Sequence, residues 1–196
     1  MADVKHFDEG LALGRAMDLF WRQGYDATSL QDLVDELGIS RSSLYATFGD
    51  KDRLYRAALA LYCRSEAGPR HDLLQRPGPV LDSIRELLLG IAAAPMIHTD
   101  RRGCLVVNAA MERVPADRET TIAVAEQLDR FEHALADALR RAQRQAELDL
   151  DADPRALARF LVTVVQGMRV VGKAGADPTA LDDVVEVAMR AIRPAA

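Results

Sequence analysis

Apolar residues recur at helical spacing along almost the whole sequence, and no stretch alternates convincingly between apolar and polar residues. Leu30, Leu33, Val34 and Leu37, for example, lie at positions i, i+3, i+4 and i+7. This spacing is typical of a helix with one side turned toward a core. The pattern predicts an all-α fold of about nine helices.

Capping residues and glycines indicate where the first helices begin and end. A first helix is predicted from about Phe7 to Gln23, ended by Gly24. Thr28 and Gln31 have the spacing of a capping box, so a second helix is predicted to begin there and to run to the next glycine. Ser40 then caps a short third helix.

Prolines and glycines divide the rest of the chain. Gly68-Pro69 is predicted to end the fourth helix, and the following stretch to Pro79 reads as a loop. Pro95 is predicted to end the fifth helix. Asp153-Pro154 and Asp177-Pro178 each place a capping carboxylate before a proline at the first helical position, so two more helices are expected to begin there.

Composition favours helix over sheet, since aromatic residues make up only 5% of the chain and 49% is hydrophobic. The formal net charge is −5 at pH 7. Residues 1–55 are also acidic, with six Lys and Arg against ten Asp and Glu. A role in binding nucleic acid must therefore depend on a local surface and not on overall charge.

Other residue counts narrow the class of protein. Cys63 and Cys104 are too few for a disulfide framework. The start of the chain has no pattern of an export signal, and no apolar run approaches the ~18 to 20 residues that span a bilayer. A cytoplasmic protein without membrane contact is expected. No cofactor is predicted. No metal site is predicted either, because His6, His71, His98 and His133 form no i, i+4 pair, and His98 with Cys104 would supply only two ligands.

The segment from Thr28 to Lys51 carries the functional signal. Two short helices on either side of Gly38-Ile39-Ser40 match a helix-turn-helix. The third helix places Leu44 and Phe48 inward. The residues predicted to face the bases are small or polar, and they include one arginine able to contact guanine: Arg41, Ser42, Ser43, Ala46 and Thr47. The residues predicted to contact phosphates are Thr28, Ser40, Tyr45 and Lys51.

The same segment resembles the TetR family of repressors, from about Gly10 to Tyr55. The resemblance rests on an aromatic-x-x-x-Gly-Tyr string at Phe20 to Tyr25 and on Thr28-Ser29. It also rests on a longer string whose members are Gly38, Ile39, Ser40, Leu44, Tyr45, Phe48, Lys51, Asp52 and Leu54. The family usually places His or Tyr where Ala46-Thr47 stands here, so a phosphate contact often made there is weaker or is replaced by the Thr47 hydroxyl.

The resemblance implies a ligand-responsive regulator, by default a repressor, that binds a palindromic operator in double-stranded DNA as a homodimer. A small-molecule effector of unknown identity would release it. The implied domains are a helix-turn-helix domain over residues 1–55 and a helical ligand-binding and dimerisation domain over residues 56–196. The implied DNA-binding set is Thr28, Ser29, Ser40, Arg41, Ser42, Ser43, Tyr45, Thr47 and Lys51.

Two further sets of residues are predicted in the C-terminal half. The last two helices carry more apolar residues than one small domain needs to bury, which predicts a dimer interface; an ordinary core is the alternative. The predicted interface residues are Phe160, Val164, Gly167, Val171, Val184 and Val187. Methionines suit an adaptable pocket, although at helical spacing they also suit a plain core. The predicted pocket set is Met96, Cys104, Asn108, Met111, Phe131 and Met168.

The string from Arg102 to Asn108, with Gly103-Cys104-Leu105 inside it, looks like one found in a subset of TetR-like regulators. Cys104 is predicted near a helix N-terminus with Arg101 and Arg102 just before it, and both features favour the thiolate form of a cysteine. An electrophile or oxidant sensor is one interpretation. A small buried residue against the pocket wall is the other, and the sequence leaves both open. Cys63 is interpreted as structural.

Two other classes of function compete with the regulator. A helical enzyme needs a catalytic constellation, and the sequence offers no Ser/His/Asp grouping, metal-ligand spacing or glycine-rich phosphate loop. An adaptor that binds protein partners would leave the small, polar face of the third helix unexplained. A DNA-binding protein that is not an enzyme is therefore the predicted class.

Overall fold

The computed structural model describes residues 7–97, 102–114 and 116–193. Within those residues the chain forms nine α-helices and no strand, as the hydrophobic pattern predicts. The helices are α1 Glu9–Gln23, α2 Leu30–Leu37, α3 Arg41–Phe48, α4 Lys51–Gln75, α5 Val80–Ile97, α6 Leu105–Arg113, α7 Arg118–Arg144, α8 Pro154–Lys173 and α9 Pro178–Ile192.

The capping box of α2 lies one residue later than predicted. Ser29 is the N-cap: its hydroxyl accepts the Asp32 N–H, and the Asp32 carboxylate accepts the Ser29 N–H at 2.7 Å. Gln31 instead donates to Asp35 at 2.8 Å. Thr28 is fully buried, and its hydroxyl donates a hydrogen bond to the Gly24 carbonyl at 2.6 Å.

The predicted break at Gly68-Pro69 is wrong, since α4 continues through it to Gln75. A proline removes one backbone hydrogen bond from a helix and normally bends or ends it. Here Tyr62 and Cys63 before the proline and Leu74 after it are buried, so tertiary packing holds the helix on both sides. The predicted stop at Pro95 is also wrong, because α5 runs to Ile97.

The Asp-Pro starts of the last two helices are confirmed. Asp153 accepts the N–H of Arg155 at 2.8 Å, and Asp177 accepts the N–H of Thr179 at 2.9 Å. Each carboxylate therefore satisfies a backbone donor that the first helical turn leaves free.

Two hydrophobic clusters form the interior. The first cluster contains residues of α1, α2, α3, the first part of α4, α6 and the start of α7. The second cluster contains residues of the end of α4, α5, the second half of α7, α8 and α9. The predicted boundary at residue 55 falls inside α4, and the first cluster also takes in residues far along the chain, namely Cys104, Leu105, Val106, Ala109 and Val124. In the part of the chain that the structure describes, no helix is apolar enough over a sufficient length to cross a membrane.

Candidate functional site

The turn between α2 and α3 has the geometry of a helix-turn-helix. Gly38 ends α2 with a φ of 66°, in the left-handed region that glycine adopts without strain. Ile39 turns into the core, and the Ser40 hydroxyl accepts the Ser43 N–H at 3.1 Å to start α3. Leu44 is fully buried and fixes α3 against the rest of the N-terminal cluster.

The opposite face of α3 is exposed and polar. Arg41, Ser42, Tyr45 and Ala46 are exposed, while Ser43 and Thr47 are half-buried. The helix contains no acidic side chain, although the chain as a whole is acidic. The Ser40 hydroxyl lies 2.9 Å from that of Ser42 and 2.8 Å from that of Ser43. Short side chains and a single arginine thus form the surface that a base-reading helix requires.

One of the residues predicted to contact phosphates is buried in the structure. Thr28 is buried and its hydroxyl is bonded to Gly24, so it cannot reach a phosphate in this conformation. Ser29 is exposed, although its hydroxyl already caps α2. Lys51 begins α4 with its ammonium 4.1 Å from the centre of the Tyr25 ring, which holds this cation beside the helix-turn-helix.

A carboxylate of α6 clasps the loop between α1 and α2. Glu112 accepts the backbone N–H groups of Tyr25 and Asp26, both at 2.8 Å. The loop approaches so closely that a Cβ on Gly24, whose φ is 86°, would lie 2.8 Å from the carboxylate. The positive φ therefore favours glycine at residue 24, and a larger residue would also displace the Glu112 carboxylate.

Arg113, the next residue of α6, completes this clasp. Its guanidinium lies 3.8 Å from the centre of the Tyr25 ring and donates to Asp52 at 2.7 Å and to Asp117 at 3.2 Å. The Tyr25 hydroxyl also donates to Asp52, at 2.7 Å, and burial followed by this hydrogen bond raises the pKa of Tyr25 to about 12. Sequence reasoning missed the clasp because its members lie far apart along the chain.

A cavity of about 450 Å³ lies between the two hydrophobic clusters. Its volume falls in the range of small-molecule sites. Aromatic, apolar and charged side chains from α1, α4, α5 and α8, together with the segment before α6, line it: Trp21, Tyr62, Glu66, Pro69, Arg70, Leu73, Glu86, Leu87, Gly90, Ile91, Ala94, Gly103, Cys104, Arg169 and Lys173.

Of the predicted pocket residues, Cys104 alone among those described lines this cavity. Phe131 and Met168 are buried in the second cluster, which is the plain-core alternative. Met111 is 81% exposed and borders, with Asn108, an adjoining surface groove that shares Trp21, Cys104, Arg169 and Lys173 with the cavity. The side chain of Met96 lies outside the described residues. Helical spacing alone does not distinguish a core position from a cavity wall, so the predicted pocket set remains a prediction.

Cys104 is buried and occupies the N-cap position of α6 without a side-chain capping hydrogen bond, at the helix N-terminus where the sequence places it. Arg101 lies outside the described residues. A different arginine contacts the sulfur: the Arg169 guanidinium donates to Sγ at 2.9 Å. The burial fits the packing interpretation, and the position in the cavity wall puts the thiol within reach of a bound molecule. Cys63 is buried away from the cavity, and desolvation raises its pKa to about 11.

Trp21 connects the cavity to α1, the helix that precedes the helix-turn-helix. The indole N–H donates to the Gly103 carbonyl at 3.0 Å, and the Arg102 guanidinium lies 4.8 Å from the indole ring centre. The Tyr62 ring meets Trp21 edge-on with centroids 4.9 Å apart. A side chain of α1 is therefore part of the cavity wall.

The predicted interface residues lie on the outer faces of α8 and α9. Four of the six are large apolar side chains left exposed in the single chain: Phe160 (39%), Val171 (49%), Val184 (39%) and Val187 (55%). Gly167 is exposed and Val164 is half-buried between them. An exposed apolar patch across two helices is typical of a surface that another protein covers.

Histidines contribute no metal site in the described ranges, where no group of three or more His, Cys, Asp or Glu side chains is suitably placed for an ion. His71 and His133 are exposed on different helices. His6 and His98 lie outside the described residues.

Comparison with known proteins identifies the family. Residues 12–58 match the family described as "Bacterial regulatory proteins, tetR family", and residues 80–188 match the tetracyclin repressor-like C-terminal domain. The chain belongs to the TetR family. It is thus a member of a family of DNA-binding transcriptional regulators, as the N-terminal motifs indicate.

Curated relatives agree with this assignment over nearly the whole chain. The chain is 35% identical to the HTH-type transcriptional regulator YezE of Bacillus subtilis, covering 96% of this chain and 98% of YezE. It is 30% identical to the HTH-type transcriptional repressor ComR of Escherichia coli, covering 96% of this chain and 89% of ComR.

Solved structures agree as well. A cysteine mutant of the TetR family transcriptional regulator CifR, complexed with 26 bp double-strand operator DNA, is 34% identical. It covers 97% of this chain and all of its own, with a TM-score of 0.85. The reduced form of E. coli NemR has a TM-score of 0.86 over 94% of this chain and 97% of its own, and at 20% identity it supports the fold alone.

Proposed function

We propose that this TetR-family protein is a ligand-responsive repressor that binds a palindromic operator as a homodimer and is released by a small-molecule effector. The observation that carries the DNA-binding part is the face of α3, where Arg41, Ser42, Tyr45 and Ala46 are exposed and no acidic side chain intervenes. In this proposal Arg41 reads a guanine, and Ser40, Tyr45 and Lys51 contact backbone phosphates.

The homodimer is supported by the exposed apolar faces of α8 and α9. Phe160, Val171, Val184 and Val187 would be buried when the same two helices of a second copy pack against them. A two-fold axis between the copies then presents two α3 helices to one side of a duplex. Half-sites about one helical turn apart, or somewhat more, would follow.

Release by an effector requires a connection between the cavity and α3, and α6 supplies one. Its N-terminus at Cys104 forms part of the cavity wall, and its C-terminal residues Glu112 and Arg113 clasp the loop before α2 and the start of α4. Trp21 provides a second connection through α1. An occupant that favours a different position of α6 would move the helix-turn-helix, and a coupling of about 1–3 kcal/mol is sufficient for regulation.

The experiment that tests this function is selection of bound duplexes from a random library, with the purified protein at two salt concentrations. We expect enrichment of a palindromic motif, weaker at the higher salt because phosphate contacts release counterions. Absence of enrichment from a folded dimer, after extraction of any co-purified small molecule, would contradict the proposal.

A further inference from the structure

The cavity carries an imbalance of charge that indicates the chemistry of its occupant. Two guanidinium groups, Arg70 and Arg169, line it with only 14% and 12% of their side chains exposed. Lys173 adds a third cation at the rim, where it donates to Asn108 at 2.8 Å. Buried cations normally lie beside anions, since desolvation of an unpaired charge is costly.

The carboxylates on the cavity wall do not match these cations. Glu66 accepts a hydrogen bond from Arg70 and lies 3.8 Å from the Arg169 guanidinium, so one carboxylate serves two arginines. Glu86, the other acid of the wall, is exposed and paired with Arg76 on the surface. Burial, and next the nearby Arg169 charge, lower the pKa of Arg70.

Arg169 is positioned to receive an additional anion. One of its terminal nitrogens donates to the Cys104 sulfur at 2.9 Å, and the other is 3.8 Å from Glu66, beyond the length of a good hydrogen bond. A guanidinium offers donors in a planar fork that matches a carboxylate. A carboxylate of the occupant would therefore bring Arg169 the close partner that Glu66 does not supply.

The remainder of the cavity is suited to an apolar body. Trp21 and Tyr62 form one aromatic corner, and Leu73, Leu87 and Ile91 are among the residues that form the apolar wall. A volume of about 450 Å³ accommodates a molecule of one or two rings. Phosphates and other small, strongly hydrated anions would leave this apolar surface uncovered.

We propose that the effector cavity binds an aromatic or similarly apolar monocarboxylic acid in its ionised form, with the carboxylate on Arg169 and the apolar body against Trp21 and Tyr62. This inference rests on the proposed function, because it identifies the chemical class of the effector. It also gives a direct route from occupant to DNA-binding domain, since Trp21 belongs to α1.

Isothermal titration calorimetry of the full-length protein with 1-naphthoate and 3-phenylpropionate, each beside its neutral primary amide, tests the class of occupant. We expect each acid to bind about tenfold or more tightly than its amide, because the charge-assisted hydrogen bond to Arg169 is lost in the amide. Binding of the amides as tightly as the acids, or of neither acid at millimolar concentration, would overturn the proposal.

Variants test the site itself. Arg169→Gln should weaken binding of the acid about tenfold or more and leave binding of the amide unchanged. Lys173→Gln, at the exposed rim, should produce a smaller loss and keeps the test valid if the first variant does not fold. Arg130→Gln is the matched control, since Arg130 is exposed on α7 and does not line the cavity. Equal loss in the control, or unchanged acid binding in both cavity variants, would overturn the assignment.

Operator binding by the ligand-free protein separates this inference from the proposed function. If the protein binds a selected operator but none of the acids, the repressor stands and the effector class is wrong. If the acids bind and no operator is selected, the cavity assignment stands and the DNA-binding proposal is wrong. If the protein binds both a selected operator and the acids, the acids should weaken operator binding and the amides should not.

Discussion

The carboxylate of Glu112 accepts the backbone N–H of Tyr25 at 2.8 Å, across 87 residues of sequence. Its second oxygen accepts the adjacent N–H of Asp26. A side chain of α6 thereby accepts hydrogen bonds from two backbone N–H groups of the loop between α1 and α2. A shift of α6 would therefore move the loop between α1 and α2, which leads into the helix-turn-helix.

The first prediction concerns this clasp. In Glu112→Gln the amide retains one acceptor and points an N–H₂ group at the other backbone donor, leaving it unpaired. We expect the free energy of unfolding to fall by about 1–3 kcal/mol, measured by urea denaturation. Glu126→Gln on α7 is the control, because its pair with Arg130 is exposed and should contribute little. Equal unfolding midpoints for the two variants would show that the clasp does not stabilise the fold.

The second prediction separates a buried hydroxyl from a DNA contact. Thr28→Val removes the hydrogen bond to the Gly24 carbonyl and should lower the free energy of unfolding by about 1–2 kcal/mol. The folded variant should bind operator with unchanged affinity. Tyr45→Phe should weaken operator binding and leave the free energy of unfolding unchanged, since Tyr45 is 46% exposed in the free protein. Loss of operator affinity in stable Thr28→Val would mean that Thr28 contacts a phosphate.

The third prediction concerns the exposed apolar faces of α8 and α9. Val187→Asp places a charge in the proposed interface, so sedimentation velocity should show a monomer with wild-type helix content. Operator affinity should fall with it, because one subunit reads only half of a palindrome. Leu150→Asp is the control: this residue is 86% exposed, in the turn between α7 and α8, and the variant should remain a dimer. Dimerisation of Val187→Asp would place the interface elsewhere.

The fourth prediction is a dependence of stability on pH at Asp117. The Thr120 hydroxyl donates to its carboxylate at 2.6 Å and Arg113 adds a second bond, and these bonds lower the pKa of Asp117. Since the folded-state pKa lies below the unfolded value of about 3.9, the stabilisation is present above that pH and is lost as the pH falls through the folded-state pKa.

Comparison of wild type with Asp117→Asn measures this contribution. The difference in unfolding free energy should be present at pH 7 and should shrink below about pH 4. A difference that is the same at pH 7 and pH 3 would assign the effect of the substitution to packing and not to the charge of Asp117.

Much of the fold follows from the sequence, because helical periodicity and caps are local. The Asp153 and Asp177 starts were predictable from an acid followed by proline. Continuation of α4 through Pro69 was not, since the helix is held by packing of Leu74 against residues of α5, α7, α8 and α9 that lie elsewhere along the chain. Local signals also misassigned Thr28, whose neighbour Ser29 has the same capping chemistry one position later.

Of the candidate sites, the one formed by consecutive residues could be predicted from the sequence, and the one formed by residues far apart along the chain could not. The exposed face of α3 could be predicted because a helix-turn-helix is a contiguous string of residues. The cavity could not, because its charged residues Glu66 and Arg70 belong to α4 and Arg169 belongs to α8, far along the chain. Cys104 is the exception: its glycine-cysteine string at a helix start marks it in the sequence, and it lines the cavity.

The most direct test of the central claim is titration of a selected operator duplex, and of a scrambled duplex of equal length, with wild type and Arg41→Ala at two salt concentrations. We predict that two protomers of wild type bind the operator, with an affinity that falls steeply with salt. Arg41→Ala should lose about 1–3 kcal/mol of preference for the operator over the scrambled duplex and retain its salt dependence. Equal affinity of folded wild-type protein for the two duplexes would contradict the account.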